Sequence, residues 1–201
     1  MANVDSPFGL RPVRYLNGAP WNGQVQRYLL DSGDGTATFI GDLVTLAGSA
    51  GAQGSFVNGI PTSGMPTIAQ SVANTGPHLG VVVGFEVLQT NLETRHRLAS
   101  TSRVALVVDD PNVIFEIQEV SGGTAFTVAE VGLNANVIVA AGSTTTGLSG
   151  MELNNSGEAG TVTLDLKILR LALREDNAIG EHAKWEVLIN NHCFRAGVTG
   201  L

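Results

Sequence analysis

The sequence predicts a mainly β protein, an antiparallel β-sandwich or barrel with an extended N-terminal arm and long Gly-rich loops. Two features of composition and one of pattern predict this fold class. Gly supplies 25 of the 201 residues, whereas charged residues make up 14% and include only two Lys. Helix surfaces are usually built from Lys, Glu and Arg. From Val25 onward, short apolar runs alternate with Gly, Asn, Ser and Pro clusters, as expected of strands joined by turns.

The first 24 residues form a segment of their own, which we predict to be an extended arm preceding a single β-rich body at 25–201. Pro and Gly recur through the arm and break any regular element. Arg11 and Arg14 make it net basic against Asp5, although the whole chain carries a net charge of -7. Such an arm either packs on its own body or reaches a neighbour, and both alternatives stay open for Trp21.

The apolar runs of the body predict a series of short strands. Up to residue 140 these are Val25–Leu30, Thr38–Leu46, Thr67–Val72, Gly80–Leu88, Arg103–Val108, Val113–Val120, Ala125–Val131 and Asn136–Ala140. The clearest alternation lies in 113–120, where odd-numbered and even-numbered residues fall on opposite faces, as the strand period requires.

The later part of the chain predicts two more strands and a β-bulge. In 161–174 the apolar residues alternate up to Ile168 and then slip one place to Leu169, which predicts a bulge at that point. A final strand is predicted at Trp185–Asn190, with Trp185 in the core. The Gly-rich loops 47–59 and 142–160 are expected to be mobile or ordered by a partner.

Charge, cysteine content and hydropathy limit the cellular location and the classes of partner that we expect. The net charge of -7 argues against a nucleic-acid partner, because phosphate binding needs clustered Lys and Arg. The single cysteine, Cys193, suits synthesis in a reducing cytosol. The N-terminus lacks the basic and apolar parts of a secretory signal, and no apolar run approaches the roughly 18 residues of a membrane span. We therefore expect no membrane partner.

Charged residues are unevenly distributed along the chain. No basic residue lies between Arg103 and Lys167, but eight acids do: Asp109, Asp110, Glu116, Glu119, Glu130, Glu152, Glu158 and Asp165. This predicts an acidic face, which is either a solvated surface or complementary to a basic partner. The dense basic cluster at 95–97 is interpreted as an ion-pair patch on the surface or at an interface.

The sequence contains no recognisable catalytic, cofactor or metal motif. It has neither a nucleophile elbow nor a phosphate-binding loop. The run Asp31 to Gly35 lacks the ligand spacing of a calcium loop and is interpreted as a tight hairpin turn. The four histidines have no metal-ligand spacing. We therefore expect no cofactor, no metal and no enzymatic activity, although sequence leaves open a nucleophile and base that meet only in the fold.

Several stretches resemble virion structural proteins of tailed bacteriophages. They are SPFGLRPVRYLNGAPWNG (6–23), GDLVTLAG (41–48), LGVVVGFEV (79–87), LVVDDPNVIFEIQE (106–119), GLNANVIVAAGSTTTGLSGMEL (132–153) and LKILRLALREDNAIGEHAKWEVLINNH (166–192). Together they resemble the capsid decoration, or cement, proteins. This resemblance implies a β-rich, commonly trimeric protein on the outside of the mature head, at local threefold positions, where it clamps neighbouring capsomers.

The expected function is therefore adhesive. We expect a homotrimer, made in the host cytoplasm, that binds the major capsid protein on the capsid exterior. The arm is expected to lie along capsid protein or a sister subunit, and its interface residues are Phe8, Leu10, Arg11, Arg14, Tyr15 and Trp21. Buried aromatics would stabilise that contact and Arg residues would fix its register. The alternative is a tail- or fibre-associated binding module that recognises sugar through loops such as 142–160.

Overall fold

The computed structural model describes residues 3–89 and 91–195, which form a mainly β protein as the sequence predicts. The strands are β1 Arg11–Tyr15, β2 Gln26–Leu30, β3 Leu43–Ala50, β4 Phe56–Val57, β5 Ile60–Pro61, β6 Pro66–Gln70, β7 Gly80–Phe85, β8 Arg103–Val108, β9 Val113–Gln118, β10 Asn134–Ala135, β11 Val137–Ile138, β12 Glu152–Leu153, β13 Leu166–Leu171 and β14 Lys184–Ile189. One short 3₁₀ helix spans Val128–Glu130. Within these ranges no helix is long and apolar enough to cross a membrane.

Five strands close into a small barrel in the order β2, β6, β3, β7, β8. Its interior is filled by apolar side chains from every strand, among them Leu30, Val44, Ile68, Val82 and Val107. Neighbouring strands are antiparallel except β2 and β6, which run parallel with Leu29 opposite Thr67. The barrel is therefore not wholly antiparallel, because a parallel pair closes it.

Five further strands form an antiparallel sheet in the order β1, β9, β14, β13, β10. Its inner face carries Phe115, Ile117 and Trp185, and Trp185 is 1% exposed, which confirms its predicted core position. Leu43 and Val81 from the barrel belong to the same apolar cluster. The outside of the barrel thus packs against the sheet in an apolar cluster that is separate from the one inside the barrel.

Local alternation predicted some strands well and one wrongly. Strand β8 matches its predicted bounds, and a register shift between Ile168 and Arg170 confirms the bulge in β13. The strand expected at 125–131 is wrong, because this segment holds the 3₁₀ helix. A capping box forms there instead, with Thr127 accepting from the Ala129 amide and Glu130 accepting from the Thr127 amide.

The predicted acidic face is wrong for three of its eight acids. Glu119 and Asp165 are buried and hydrogen-bonded inside the protein, while Glu116 is buried beneath two arginines on the outer face of the sheet. Burial raises the pKa of Glu119 even though its carboxylate accepts from the Phe126 amide and the Trp185 indole. Glu119 and Asp165 thus bind groups in the interior, and Glu116 pairs with arginines, so none of the three forms an acidic surface.

The predicted surface patch at 95–97 is corrected for His96 and Arg97, which are buried, whereas Arg95 is exposed. Arg97 does form an ion pair, with Asp34 at 3.3 Å. Its guanidinium donates to the carbonyls of Asp31, Thr36 and Thr101. The run 31–35 does form a tight turn, in which the Asp34 amide donates to the Asp31 carbonyl at 3.1 Å, but it joins no hairpin, because β2 and β3 are not neighbours in the barrel. Asp31 and Asp34 also accept from nearby amides with their side chains, and the run wraps around the arginine. A buried Arg binds carbonyls here because its five donors need partners.

The two Gly-rich loops contain paired and buried parts. Residues 47–50 continue β3, and β4 pairs with β5 in a small hairpin. In 142–160, Leu148 bridges to Ile40, while Met151 and Leu153 are buried in the core. The mobility expected for these loops stays a prediction.

Candidate functional site

The N-terminal segment packs on its own body in the folded chain. Strand β1 forms an edge of the five-stranded sheet, with Arg11 opposite Glu116 on β9. The chain then turns back on β1, and the Tyr15 amide donates to the carbonyl of Ala19 at 2.8 Å. Leu10 is 1% exposed and lies in the core. This corrects the picture of a segment that projects from the body, and Leu10 serves mainly as a core residue that also borders an apolar cleft.

Four of the six residues predicted for the interface converge on one apolar cleft of about 380 Å³. Its lining comprises Phe8, Leu10, Arg11, Pro12, Trp21, Ile40, Val83 and Leu148. The N-terminal segment supplies one wall, while the barrel and the 142–160 loop supply the other. The Arg11 guanidinium lies over the Phe8 ring, 4.6 Å from its centroid. The cleft thus combines apolar walls with one cation at its rim.

Two glycines allow the N-terminal segment to cross the barrel closely enough to form this cleft. Gly9 and Gly41 both have positive φ, at 70° and 97°. The Leu10 amide donates to the Gly41 carbonyl at 2.9 Å. A Cβ on Gly41 would lie 2.2 Å from the Phe8 carbonyl oxygen. Only glycine fits at this crossing, which places Phe8 and Leu10 against the barrel.

We expect Gly41→Ala to lower the free energy of unfolding by roughly 2–3 kcal/mol, because it adds a backbone clash to the cost of positive φ. Gly132→Ala is the matched control: its φ is 93°, but a Cβ there would meet nothing within 4 Å. Chemical denaturation of both variants measures the difference. Equal losses of stability would show that the close crossing is unimportant.

A row of arginines continues from the cleft over the outer face of the sheet. The carboxylate of Glu116 accepts from Arg11 at 3.3 Å and from Arg174 at 2.8 Å. Glu186 accepts from Arg14 at 2.6 Å and from Arg170 at 2.9 Å. Burial alone would raise the pKa of Glu186, but hydrogen bonds from Arg170 and Arg14 outweigh it and lower the pKa. Arg174 also pairs with Asp176 at 2.9 Å, so four guanidinium groups share three carboxylates, and one positive charge remains in excess along the row.

The lowered pKa of Glu186 predicts a pH-dependent contribution to stability. The contribution is present above the ordinary Glu pKa of about 4.3 and is lost as pH falls through the lower folded value. We expect Glu186→Gln to cost about 1 kcal/mol at pH 7 and less at pH 3. Glu93→Gln, at an exposed site, is the control and should show no such trend. Denaturation at both pH values measures this, and a pH-independent difference for Glu186→Gln would contradict the arrangement.

Tyr15 lies outside the cleft, and Arg14 belongs to the arginine row. The Tyr15 hydroxyl is 3.1 Å from side-chain oxygens of both Asn22 and Gln24. Its ring lines a separate cavity beside Asp109 and Asp110. The six predicted residues are therefore divided among the core, the cleft, the arginine row and this second cavity.

A Ser–His–Asp arrangement, which sequence inspection missed, lies where barrel and sheet meet. The Nε2 atom of His78 is 2.9 Å from Asp165 Oδ1, and its Nδ1 is 3.0 Å from Ser71 Oγ. Asp165 also accepts from the amides of Asn74 and Val137, each at 3.0 Å. All three side chains are buried, so Ser71 is not open to a substrate in this conformation. The network joins the loop between β6 and β7 to the start of β13, and no local spacing signals it.

A second cluster that sequence spacing did not predict brings Asp5, Glu152 and His182 together. Their potential ligand atoms lie within 4.8 Å of one another. The Gln118 amide nitrogen, however, donates to both carboxylates at 2.9 Å and so occupies the space between them. Burial raises the pKa of Glu152, and the Asp5 charge adds to the increase. Because Gln118 already satisfies the carboxylates, we assign no ion to this cluster.

Comparison with known proteins found no match among family models, curated proteins or solved structures.

Proposed function

We propose that this protein is a virion structural protein that binds the outer surface of a tailed-phage head and stabilises it as a decoration, or cement, protein. The resemblance described above suggests the class. The observation that carries the proposal is the convergence of Phe8, Trp21 and Arg11 on one apolar cleft beside the arginine row. Aromatic and Arg side chains are the residue types that anchor protein interfaces.

The body provides a rigid platform for such a contact. The outside of the barrel packs against the sheet in one apolar cluster, and the Asp165 network links the two. The cleft residues are thus held by packed elements on both sides, which lowers the ordering cost of binding. In our proposal the partner is the major capsid protein, and the protein acts as a homotrimer. Three copies of a weak contact then bind with high effective concentration, which strengthens attachment to neighbouring capsomers.

The location and copy number of the protein on the particle test this function. Heads and tails are separated, and the protein is quantified in each fraction by mass spectrometry. We expect it in heads, at a copy number comparable to that of the major capsid protein. Recovery only with tails, in a few copies, would contradict the proposal and favour the tail- or fibre-associated module.

A further inference from the structure

We propose that the cleft binds an extended acidic segment of the partner protein. One large apolar side chain of that segment enters the cleft, and a neighbouring carboxylate pairs with Arg11. This inference rests on the proposed function and specifies the chemistry of the partner.

The apolar half of the site is the space between the N-terminal segment and the barrel. Phe8 and Trp21 are only partly buried, and Ile40, Val83 and Leu148 complete the walls. A volume of about 380 Å³ lies at the low end of the roughly 300–1,000 Å³ range of binding pockets. The indole N–H of Trp21 is itself buried and has no hydrogen-bond acceptor among the described residues, so the apolar face of its ring is the part offered to an occupant.

The expectation that the bound segment carries a carboxylate rests on the hydrogen-bond donors of Arg11. Its side chain is 54% exposed, and its only ion pair among the described residues is the 3.3 Å contact with Glu116. Arg174 holds the same carboxylate oxygen at 2.8 Å, so Glu116 stays paired if Arg11 turns to a partner. A guanidinium has five donors in a planar fork that matches a carboxylate. Arg11 is therefore suited to bind one at the rim.

An extended chain fits this surface better than a small molecule does. Beyond Arg11, the positive row continues through Arg14 to Arg170 across the outer face of the sheet. A small carboxylate would reach only the cleft and its rim. A polypeptide with an apolar residue between acids would occupy the cleft and continue along the arginines, so charge complementarity extends over both.

The two tryptophans make a direct NMR test possible. The full chain is labelled with ¹⁵N and titrated with the peptide acetyl-Gly-Asp-Phe-Asp-Gly-amide. We expect the Trp21 indole signal to shift saturably. The Trp185 indole, which donates to buried Glu119, should not move. Two matched peptides, with Asn for both Asp or with Ala for Phe, should bind about fivefold or more weakly.

Two variants link the effect to the proposed contacts. Arg11→Gln should remove the preference for Asp over Asn, whereas Arg27→Gln, at an exposed barrel ion pair, should keep it. An unmoved Trp21 signal, equal binding of the Asp and Asn peptides, or a preference that survives Arg11→Gln would overturn the inference. A Trp21 shift that follows protein concentration and not peptide would identify a second copy as the occupant and would also overturn it.

The same experiment separates this inference from the proposed function. Peptide binding with the expected preferences, in a protein that does not bind heads, would support the cleft and contradict the function. If the protein binds heads but its Trp21 indole signal does not shift with the acidic peptide, the function is supported and the cleft assignment is contradicted.

Discussion

Replacing Asp165 with alanine is expected to lower the free energy of unfolding by about 3–5 kcal/mol. The carboxylate accepts hydrogen bonds from His78 and from the amides of Asn74 and Val137, and it is fully buried. Its removal leaves all three donors without an acceptor in the interior, and unpaired buried polar groups are costly. Urea denaturation of Asp165→Ala measures the loss.

Two further variants separate the lost hydrogen bonds from other effects of the change. Asp165→Asn keeps the shape and one acceptor oxygen, so its loss should be smaller than that of Asp165→Ala. Glu93→Ala, at an exposed site, should change stability by less than about 0.5 kcal/mol. A loss below about 1 kcal/mol for Asp165→Ala would show that the network does not hold barrel and sheet together.

The double replacement Phe8→Ala with Trp21→Ala is expected to weaken binding to bare heads by about 30-fold or more. Both rings line the cleft and are partly exposed, so they are available as anchors. Side-chain replacement is a better test than deletion of residues 2–23. Such a deletion would remove β1 from the sheet and Leu10 from the core. Affinity is measured by sedimenting heads with increasing amounts of protein.

The control for this measurement is Phe56→Ala, which removes from strand β4 an exposed aromatic ring that does not line the cleft. It should leave affinity within about twofold of the unmodified protein. Retained Trp185 indole and core methyl NMR signals would confirm that the double variant is folded. Unchanged head binding by a folded double variant would remove the cleft from the adhesive surface.

Features set by local sequence were predictable. The bounds of β8 and the bulge after Ile168 follow from alternation, because burial on one face requires a period of two. The segment 125–131 also has strand-like apolar residues, but Val128 and Val131 are exposed. The capping box of Thr127 and Glu130 satisfies the backbone locally, and this short-range bonding prevails over the alternation.

Features that depend on distant partners were not predictable from spacing. Asp165 and His78 are 87 positions apart, so an acid expected on the surface is instead buried against a histidine. The candidate site likewise has one part that local sequence predicts and another that depends on distant residues. The aromatic and basic character of the N-terminal segment was evident from sequence, but its docking depends on Gly41. The opposite wall combines Val83 from barrel strand β7 with Ile40, which lies between β2 and β3.

Site-specific photo-crosslinking on assembled particles tests the central claim most directly. The photoreactive residue p-benzoylphenylalanine replaces Phe8 in the cleft or, as the control, Phe56 on the exposed hairpin. We predict that position 8 crosslinks to the major capsid protein and that position 56 does not. A crosslink to capsid protein from position 56 alone, or from position 8 only to a sister subunit, would contradict binding of the head through the cleft.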